Sequence, residues 1–408
     1  MRHTNSNARF RSTAALGVLP VCLWLSHAAC AQWSIVNMHP PGVGGESLCR
    51  DATNGRQVGW ARPNAPFGRA GFWSSTAGSW IDLNPAQAGF TGSLAFGMDE
   101  SYQVGYTDIG GRHHASLWNG TAASWIDLHP PGSTDSLAYG VSSGQQVGES
   151  NPGGGNGHAF LWFGTAASWV DLNPAGSTMS NAYGSDGTYQ VGSAVIGGVR
   201  RAGMWTGSAA SWVNLHPAGA GESWGLRVRN GKQIGVAVVN GAQHASLWRG
   251  TAQSWVDLNP AGSTSSWAWG LFGGMQVGEA VFAGAQRASL WTGSPDSWVD
   301  LHAQLPAGFS RSVAHGIWSD PGHVYIAGYG FNTSTGRNEA LMWVRPVTCE
   351  PDFTGDGNTD QDDVVYLINL IAGGDNPSAR DADFNHDGCT DQDDVVALIN
   401  AIAGAECP

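Results

Sequence analysis

One pattern constrains this chain more than any other: a unit of four short apolar runs that returns six times and then a seventh time in degenerate form. Its clearest copy runs from Ser136 to Gly176, SLAYGVSSGQQVGESNPGGGNGHAFLWFGTAASWVDLNPAG. The Q-V-G element begins at Gln57, Gln103, Gln146, Gln190 and Gln276 and reads Q-I-G at Gln233; at Ile326 it has become I-A-G. The six glutamines lie 43 to 46 residues apart. Apolar runs of this length, bounded by Gly and polar residues, read as strands. Four of them in about 44 residues is the size of one β-propeller blade. With 59 Gly, 20 Trp and only 12% charged residues, the composition suits short strands and tight turns, and argues against a helical bundle or a disordered chain.

The seventh unit stops short. It supplies His315-Gly316, Ile326-Ala327-Gly328 and Ala340-Leu341-Met342-Trp343, then meets Pro346 with no S-W-V-D-L run. The missing run stands near the N-terminus, where Ser34-Ile35-Val36-Asn37-Met38-His39-Pro40-Pro41-Gly42 matches Ser124-Trp125-Ile126-Asp127-Leu128-His129-Pro130-Pro131-Gly132. An early strand completing the last blade closes a ring, whereas a solenoid has no reason to split a unit. The expected fold is therefore mainly β: a seven-bladed propeller over 32–346, closed by its N-terminal strand.

Two regularities ride on the repeat. Six Trp pairs lie seven residues apart, from Trp73/Trp80 to Trp291/Trp298. Packing within and between blades is the plainer reading of them, because buried aromatics contribute heavily to cores; a sugar-binding surface is the other. Before the Ala of each third strand stands Arg69, His114, His158, Arg201, His244 or Arg287, and thirteen residues later Asp82, Asp127, Asp171, Asn214, Asp257 or Asp300. A hairpin would bring each base near its acid as a cross-strand pair. In the split unit Glu339 replaces the base and Asn37 the acid, which avoids setting two carboxylates together. Because these pairs recur in every unit they read as structural, not as a catalytic dyad.

The unit G-x-Q-V-G…G-H-A-F-L-W…W-V-D-L resembles the extracellular HAF-family repeat, and His158-Ala159-Phe160-Leu161-Trp162 matches its motif in full. The resemblance covers about residues 33–345 and implies an exported repeat protein with no defined activity.

Export is also what the first residues suggest. Arg2, Arg9 and Arg11 precede an apolar stretch from Ala14 to Leu25, and Ala29-Cys30-Ala31 reads as a cleavage site, making 1–31 a signal peptide. A lipoprotein reading through Cys30 is the alternative. No segment reads as a membrane span. Cleavage leaves Cys49, Cys349, Cys389 and Cys407. Cys49 occupies an Ala slot of the repeat and is expected to be a buried thiol. Cys349 and Cys407 bracket the acidic tail and are the expected disulfide, with Cys349–Cys389 as the alternative.

The net charge of −13 belongs to that tail: residues 349–408 hold 14 acidic groups and one Arg, while the first 348 residues are balanced. A balanced body gives no reason to expect nucleic acid as a partner. The tail contains Asp352-Phe353-Thr354-Gly355-Asp356-Gly357-Asn358-Thr359-Asp360-Gln361-Asp362-Asp363, which returns 31 residues later from Asp383 to Asp394. Oxygen donors at loop positions 1, 3, 5, 9 and 12, a carbonyl at 7 and Gly at 6 are the EF-hand pattern for a hard cation. The first loop offers Asp352, Thr354, Asp356, the Asn358 carbonyl, Asp360 and Asp363. The second offers Asp383, Asn385, Asp387, the Cys389 carbonyl, Asp391 and Asp394. Two Ca²⁺ ions are expected. One apolar helical pattern follows each loop, and none precedes it, so each is half an EF-hand.

Paired loop–helix units with Asp at position 12 and flanking Cys resemble type I dockerin modules over 349–408. The resemblance implies a small helical calcium-binding domain at 347–408 that binds a cohesin-like or other surface protein. Carried over residue by residue, the partner surface is Gln361 and Asp362 with Asn369, and Gln392 and Asp393 with Asn400.

The favoured function is a secreted, non-enzymatic propeller, monomeric, that binds an extracellular glycan or protein and is anchored through the calcium-dependent tail. The alternative is a carbohydrate-active enzyme in a polysaccharide-degrading assembly. Glycosidases need two singular, opposed carboxylates, and the acidic residues outside the repeat slots, Glu149 and Glu279 among them, are dispersed along the sequence. Ligand contacts are expected on loops such as Tyr106–Arg112 and Asn151–Gly157. A purely structural spacer is the third reading.

Overall fold

A computed structural model describes residues 33–63, 66–87, 89–320, 322–347, 351–356, 358–376, 382–384 and 390–403. Seven four-stranded antiparallel sheets follow one another, spanning 47–82, 90–127, 133–171, 177–214, 223–257, 265–300 and 309–346. They are blades 1 to 7. In blade 7 the fourth strand is Ser34–Asn37, which pairs with Arg337–Pro346 in the register Ser34↔Val344 to Asn37↔Leu341. The chain folds as a seven-bladed β-propeller closed by its N-terminal strand, as the split repeat requires.

The first strand of each blade lines the central channel, and its neighbours step outward. Each inner strand carries a bulge at the same place, between Ala138 and Gly140 in blade 3 and at the equivalent points elsewhere. Just before the bulge the backbone presses on the second strand. A Cβ on Gly148 would lie 1.9 Å from the Leu137 carbonyl oxygen, and the other six blades show 1.8 to 2.0 Å at the same contact. The Gly of Q-V-G is required because the bulge leaves no room for any side chain.

The Gln of the same element has a different task. Gln103, Gln146, Gln190, Gln233 and Gln276 each accept a bond at 2.7–2.8 Å from a Gly N–H in the turn between third and fourth strands. Gln57 does so from Ser75. Blade 7 has no such turn, because its fourth strand arrives from the other end of the chain. Ile326 fills the slot there and is fully buried.

Blades are joined by apolar contact and by a hydroxyl relay. Every interface holds one fully buried Trp that packs on the preceding blade; Trp162 of blade 3, for instance, lies against Val104, Leu117 and Leu128 of blade 2. Trp73, Trp118, Trp205, Trp248, Trp291 and Trp343 repeat the arrangement. The partners seven residues on in the first six blades pack over the third strand, Trp169 being the most exposed, with Trp125 donating to Ser116 and Trp255 to Ser246. Packing thus accounts for the Trp pairs. Beside each interface the Ser that opens S-x-A-x-G in an inner strand is buried and accepts from an Ala N–H in the previous blade, as Ser180 does from Ala159 at 2.9 Å. Its hydroxyl then meets Asn84, Asn173 or Asn259, or the Nδ1 of His39, His129, His216 or His302, at 2.6–2.8 Å. The seventh of these relays, Ala340 to Ser47 to His39, closes the ring.

The fourth strands are shorter than the S-W-V-D-L runs suggested. Only two residues pair, Val170–Asp171 in blade 3, because the Ser-Trp portion is spent on a tight turn. In five blades that turn is one 3-10 segment, such as Ala122–Ser124.

In the tail, helix α1 (Gln361–Ile371) and helix α2 (Gln392–Ile402) follow the two acidic loops. Phe353, Leu367, Phe384 and Leu398 form their shared core. Among the described residues no helix is long and apolar enough to cross a membrane.

Candidate functional site

Five of the six recurring base–acid pairs form as expected; Arg201 and Asn214 share no such bond, and Asn214 Oδ1 accepts the His216 N–H instead. Arg69–Asp82, His114–Asp127, His158–Asp171, His244–Asp257 and Arg287–Asp300 meet at 2.5–3.0 Å, and Asn37 donates to Glu339 at 2.9 Å. The second oxygen of each Asp accepts the N–H two residues on, such as Asn173 N–H on Asp171 at 2.7 Å, or three residues on in blade 6. Both oxygens are therefore consumed in fixing the edge of the blade. These pairs are fold elements.

In the tail, Asp352 Oδ1 accepts from Gly355 at 2.7 Å and Asp356 Oδ1 from Asn358 at 2.8 Å. Asp363 is buried and spans its loop, taking the N–H of Thr354 at 2.9 Å and of Asp360 at 2.8 Å. Asp360 caps α1, and Asp391 caps α2 with Asp394 in the same role. Asp394, also buried, accepts from Asp391 at 2.8 Å. Among the described residues no three His, Cys, Asp or Glu side chains converge closely enough to hold a metal ion. Asp383 is described and buried. Asn385, Asp387 and Cys389 lie outside the described residues, as do Cys349 and Cys407 of the expected disulfide and the segment 1–31. Gln361, Asp362 and Asn369 are exposed, and so are Gln392, Asp393 and Asn400. Between them stand Val365 and Ile368 on α1 and Val396 and Ile399 on α2, each 48% exposed. Positions 361, 362, 365, 368 and 369 share one helical face, and 392, 393, 396, 399 and 400 the matching one.

The axial channel was not read from the sequence. Both variable positions of S-x-A-x-G line it. The second is the bulged residue: Arg50, Phe96, Tyr139, Tyr183, Leu226, Trp269 and His315 around the seven blades. Rings touch in sequence about the axis. Tyr106, Phe96, Tyr139 and Tyr183 form one arc with centroids 5.2–5.7 Å apart. Trp224, Trp267, Trp269, His315 and Tyr329 form another at 4.9–6.1 Å. A carboxylate and a guanidinium accompany each arc. Glu149 accepts from Tyr139 and Asn181, while Arg200 donates to Asn181 and Ser193. Glu279 accepts from Gln286 at 2.8 Å, and Arg50 lies 3.1 Å from His315. Burial pushes Glu279 up to about 7, opposed by its Gln286 bond and by Arg50. Burial raises Glu149 and lowers His315 well below the ordinary range.

These residues occupy the half of the channel nearer the turns between second and third strands. At the other end a bowl of about 560 Å³ opens. Arg227 crosses its floor, donating to the Tyr183 carbonyl at 3.1 Å and approaching Asp51 of blade 1 at 3.7 Å. In five blades Gly stands at this level and lets adjacent inner strands touch; Asp51 and Arg227 are the two departures. The signal for the whole channel was present in the x positions, whose side chains change from blade to blade while the flanking Ser, Ala and Gly persist.

No protein-family model matches the chain. No curated protein matches it either. Solved structures resemble it in fold. A puromycin-hydrolyzing peptidase of Mycobacterium tuberculosis is 14% identical with TM-score 0.49, covering 76% of this chain and 55% of its own. A puromycin hydrolase is 13% identical with TM-score 0.46, covering 74% and 55%. The chain thus spans little more than half the length of these two. TolB from Acinetobacter baumannii is 8% identical with TM-score 0.40, over 77% of this chain and 80% of its own.

Proposed function

We propose that this is an exported, non-enzymatic binding propeller that attaches to a surface or scaffold protein through a calcium-dependent module at 347–408. The observation that carries the reading is the near-duplication of the tail. Two loop–helix units repeat the same buried position-12 carboxylate, the same capped helix start and the same exposed Gln-Asp-Val-Ile-Asn face. The donor set is all oxygen, which suits Ca²⁺. Asp352, Thr354, Asp356, the Asn358 carbonyl, Asp360 and Asp363 would hold one ion, and the matching residues from Asp383 to Asp394 the other. Ions of this kind would neutralise the crowded carboxylates and order the loops. Two equivalent helix faces, each apolar at its centre and polar at its rim, suit one receptor bound in either orientation.

Against an enzymatic body stands the use of its acids. The repeated Asp residues are consumed in the blade edges, and Glu149 has both oxygens engaged. The one carboxylate of the opposite arc is thus already engaged, whereas glycoside hydrolysis needs two free, opposed carboxylates. Capture from the envelope fraction of the producing cell on the immobilised full chain tests the attachment. A partner held in calcium, released by chelator and lost in the Ile368→Ala, Ile399→Ala double variant is expected. Equal capture in chelator contradicts the proposal.

A further inference from the structure

The two aromatic arcs of the channel differ in one respect that bears on binding. On the Glu149 arc both charged groups are answered from within: Glu149 by Tyr139 and Asn181 at its two oxygens, Arg200 by Asn181, Ser193 and Met179. On the other arc, Gln286 holds one oxygen of Glu279, and among the described residues no donor reaches the second. Glu279 is only 7% exposed, yet that second oxygen is not sealed in the protein and stays open to the channel. Trp267 pairs directly across from Glu279 on the neighbouring strand. The Trp267 and Trp269 rings stack at 4.9 Å and 10°, and Trp224 lies 6.1 Å beyond. Gln243 accepts the Trp267 indole N–H at 3.3 Å and brings a side-chain amide to the same edge. Trp224, Trp267 and Trp269 are all partly exposed.

Trp267 is thus backed by Trp269 and flanked by the tilted Trp224, an aromatic wall bordered by a carboxylate acceptor and two amides. Arg50 stands near Glu279 and Arg200 lies over the Trp224 ring, so the carboxylate is not a lone charge that would select a cation. A pyranose ring meets such a wall well: its C–H face packs on the exposed part of the Trp267 and Trp224 rings, and its hydroxyls donate to the carboxylate and exchange bonds with the amides. We propose that the Trp224–Trp267–Trp269 arc with Glu279 and Gln243 binds a neutral glycan without cleaving it. The proposal rests on the reading of the chain as a binding propeller, and supplies the ligand class and the place. Hydroxyl donation answers the open oxygen of Glu279, while the opposite arc, already satisfied, holds the ring together.

Native gel electrophoresis of the full chain through gels containing neutral β-glucan, xyloglucan or galactomannan tests it, in chelator so that the tail plays no part. Retardation by at least one of these is expected. Trp267→Ala and the near-isosteric Glu279→Gln should each weaken it at least about tenfold, as befits loss of a stacking face or a charge-assisted hydrogen bond. Glu149→Gln should leave it unchanged. No retardation by any of the three, or retention undiminished in Glu279→Gln with an unaltered melting temperature, overturns the site. New reducing ends in the same gels would instead overturn the non-enzymatic reading.

Discussion

At the scale of single residues, the repeat is a set of steric and hydrogen-bonding obligations, and each can be broken separately. Gly148→Ala puts a methyl group 1.9 Å from the Leu137 oxygen, so the bulge must shift; a loss of about 2 kcal/mol or more is expected in denaturant unfolding. Ser180→Ala strands the buried Ala159 N–H and the Asn173 side chain and should cost about 1–3 kcal/mol. The histidine relays add a pH dependence. In His129 the Nε2–H faces the Ser133 carbonyl at 3.1 Å, and Nδ1 accepts from Ser136, so the neutral ring fits. Burial first, and then the stacked His114, lower its proton affinity below the ordinary 6.5, with nearby acids opposing. Burial lowers His39, His216 and His302 likewise. The unfolded chain then binds more protons than the folded one below pH 6.5, so stability is full above that value and falls as the pH drops through it. His129→Asn, which copies the relay of blades 1, 3 and 5, should keep the stability at pH 8 and reduce the loss measured between pH 7 and 5. An unchanged acid slope would contradict this use of the ring.

At the scale of the element, the sequence was most readable where one task recurs seven times. The strand order, the closing strand and the His/Arg–Asp pairs follow from repetition, since a side chain kept in every blade must serve what every blade shares. The Asn37–Glu339 substitution was legible for the same reason, as a matched departure at two ends of one hairpin. Asn37→Asp would set a second carboxylate against Glu339, and melting at pH 7 should fall by a few degrees, the shift shrinking once one of the pair is protonated below about pH 4. What could not be read was whatever differs between blades. Arg50 of blade 1, Trp224 of blade 5 and the Trp267–Glu279 hairpin of blade 6 are far apart in sequence, and only closure brings them to one axis. The bulge was equally hidden, because its signature is a Gly on the strand beside it. The outer strands came out shorter than their apolar runs because hydrophobicity does not separate a two-residue strand from the turn that enters it.

At the scale of the whole molecule, a rigid ring and a small acidic module divide the labour. The interfaces of the ring are Trp contacts and hydroxyl relays, and its charge is balanced. The module has a core of four buried side chains beneath loops dense in carboxylates, and a core so small depends on something to offset that repulsion. Removing calcium should therefore melt α1 and α2 and leave the β signal of the ring, in far-ultraviolet circular dichroism of the full chain. Calcium titration of the decalcified full chain by calorimetry tests the account most directly. Two ions per chain are expected, one lost in Asp363→Ala and both in the Asp363→Ala, Asp394→Ala double variant. No binding at millimolar calcium, or two ions still bound by the double variant, would contradict the account.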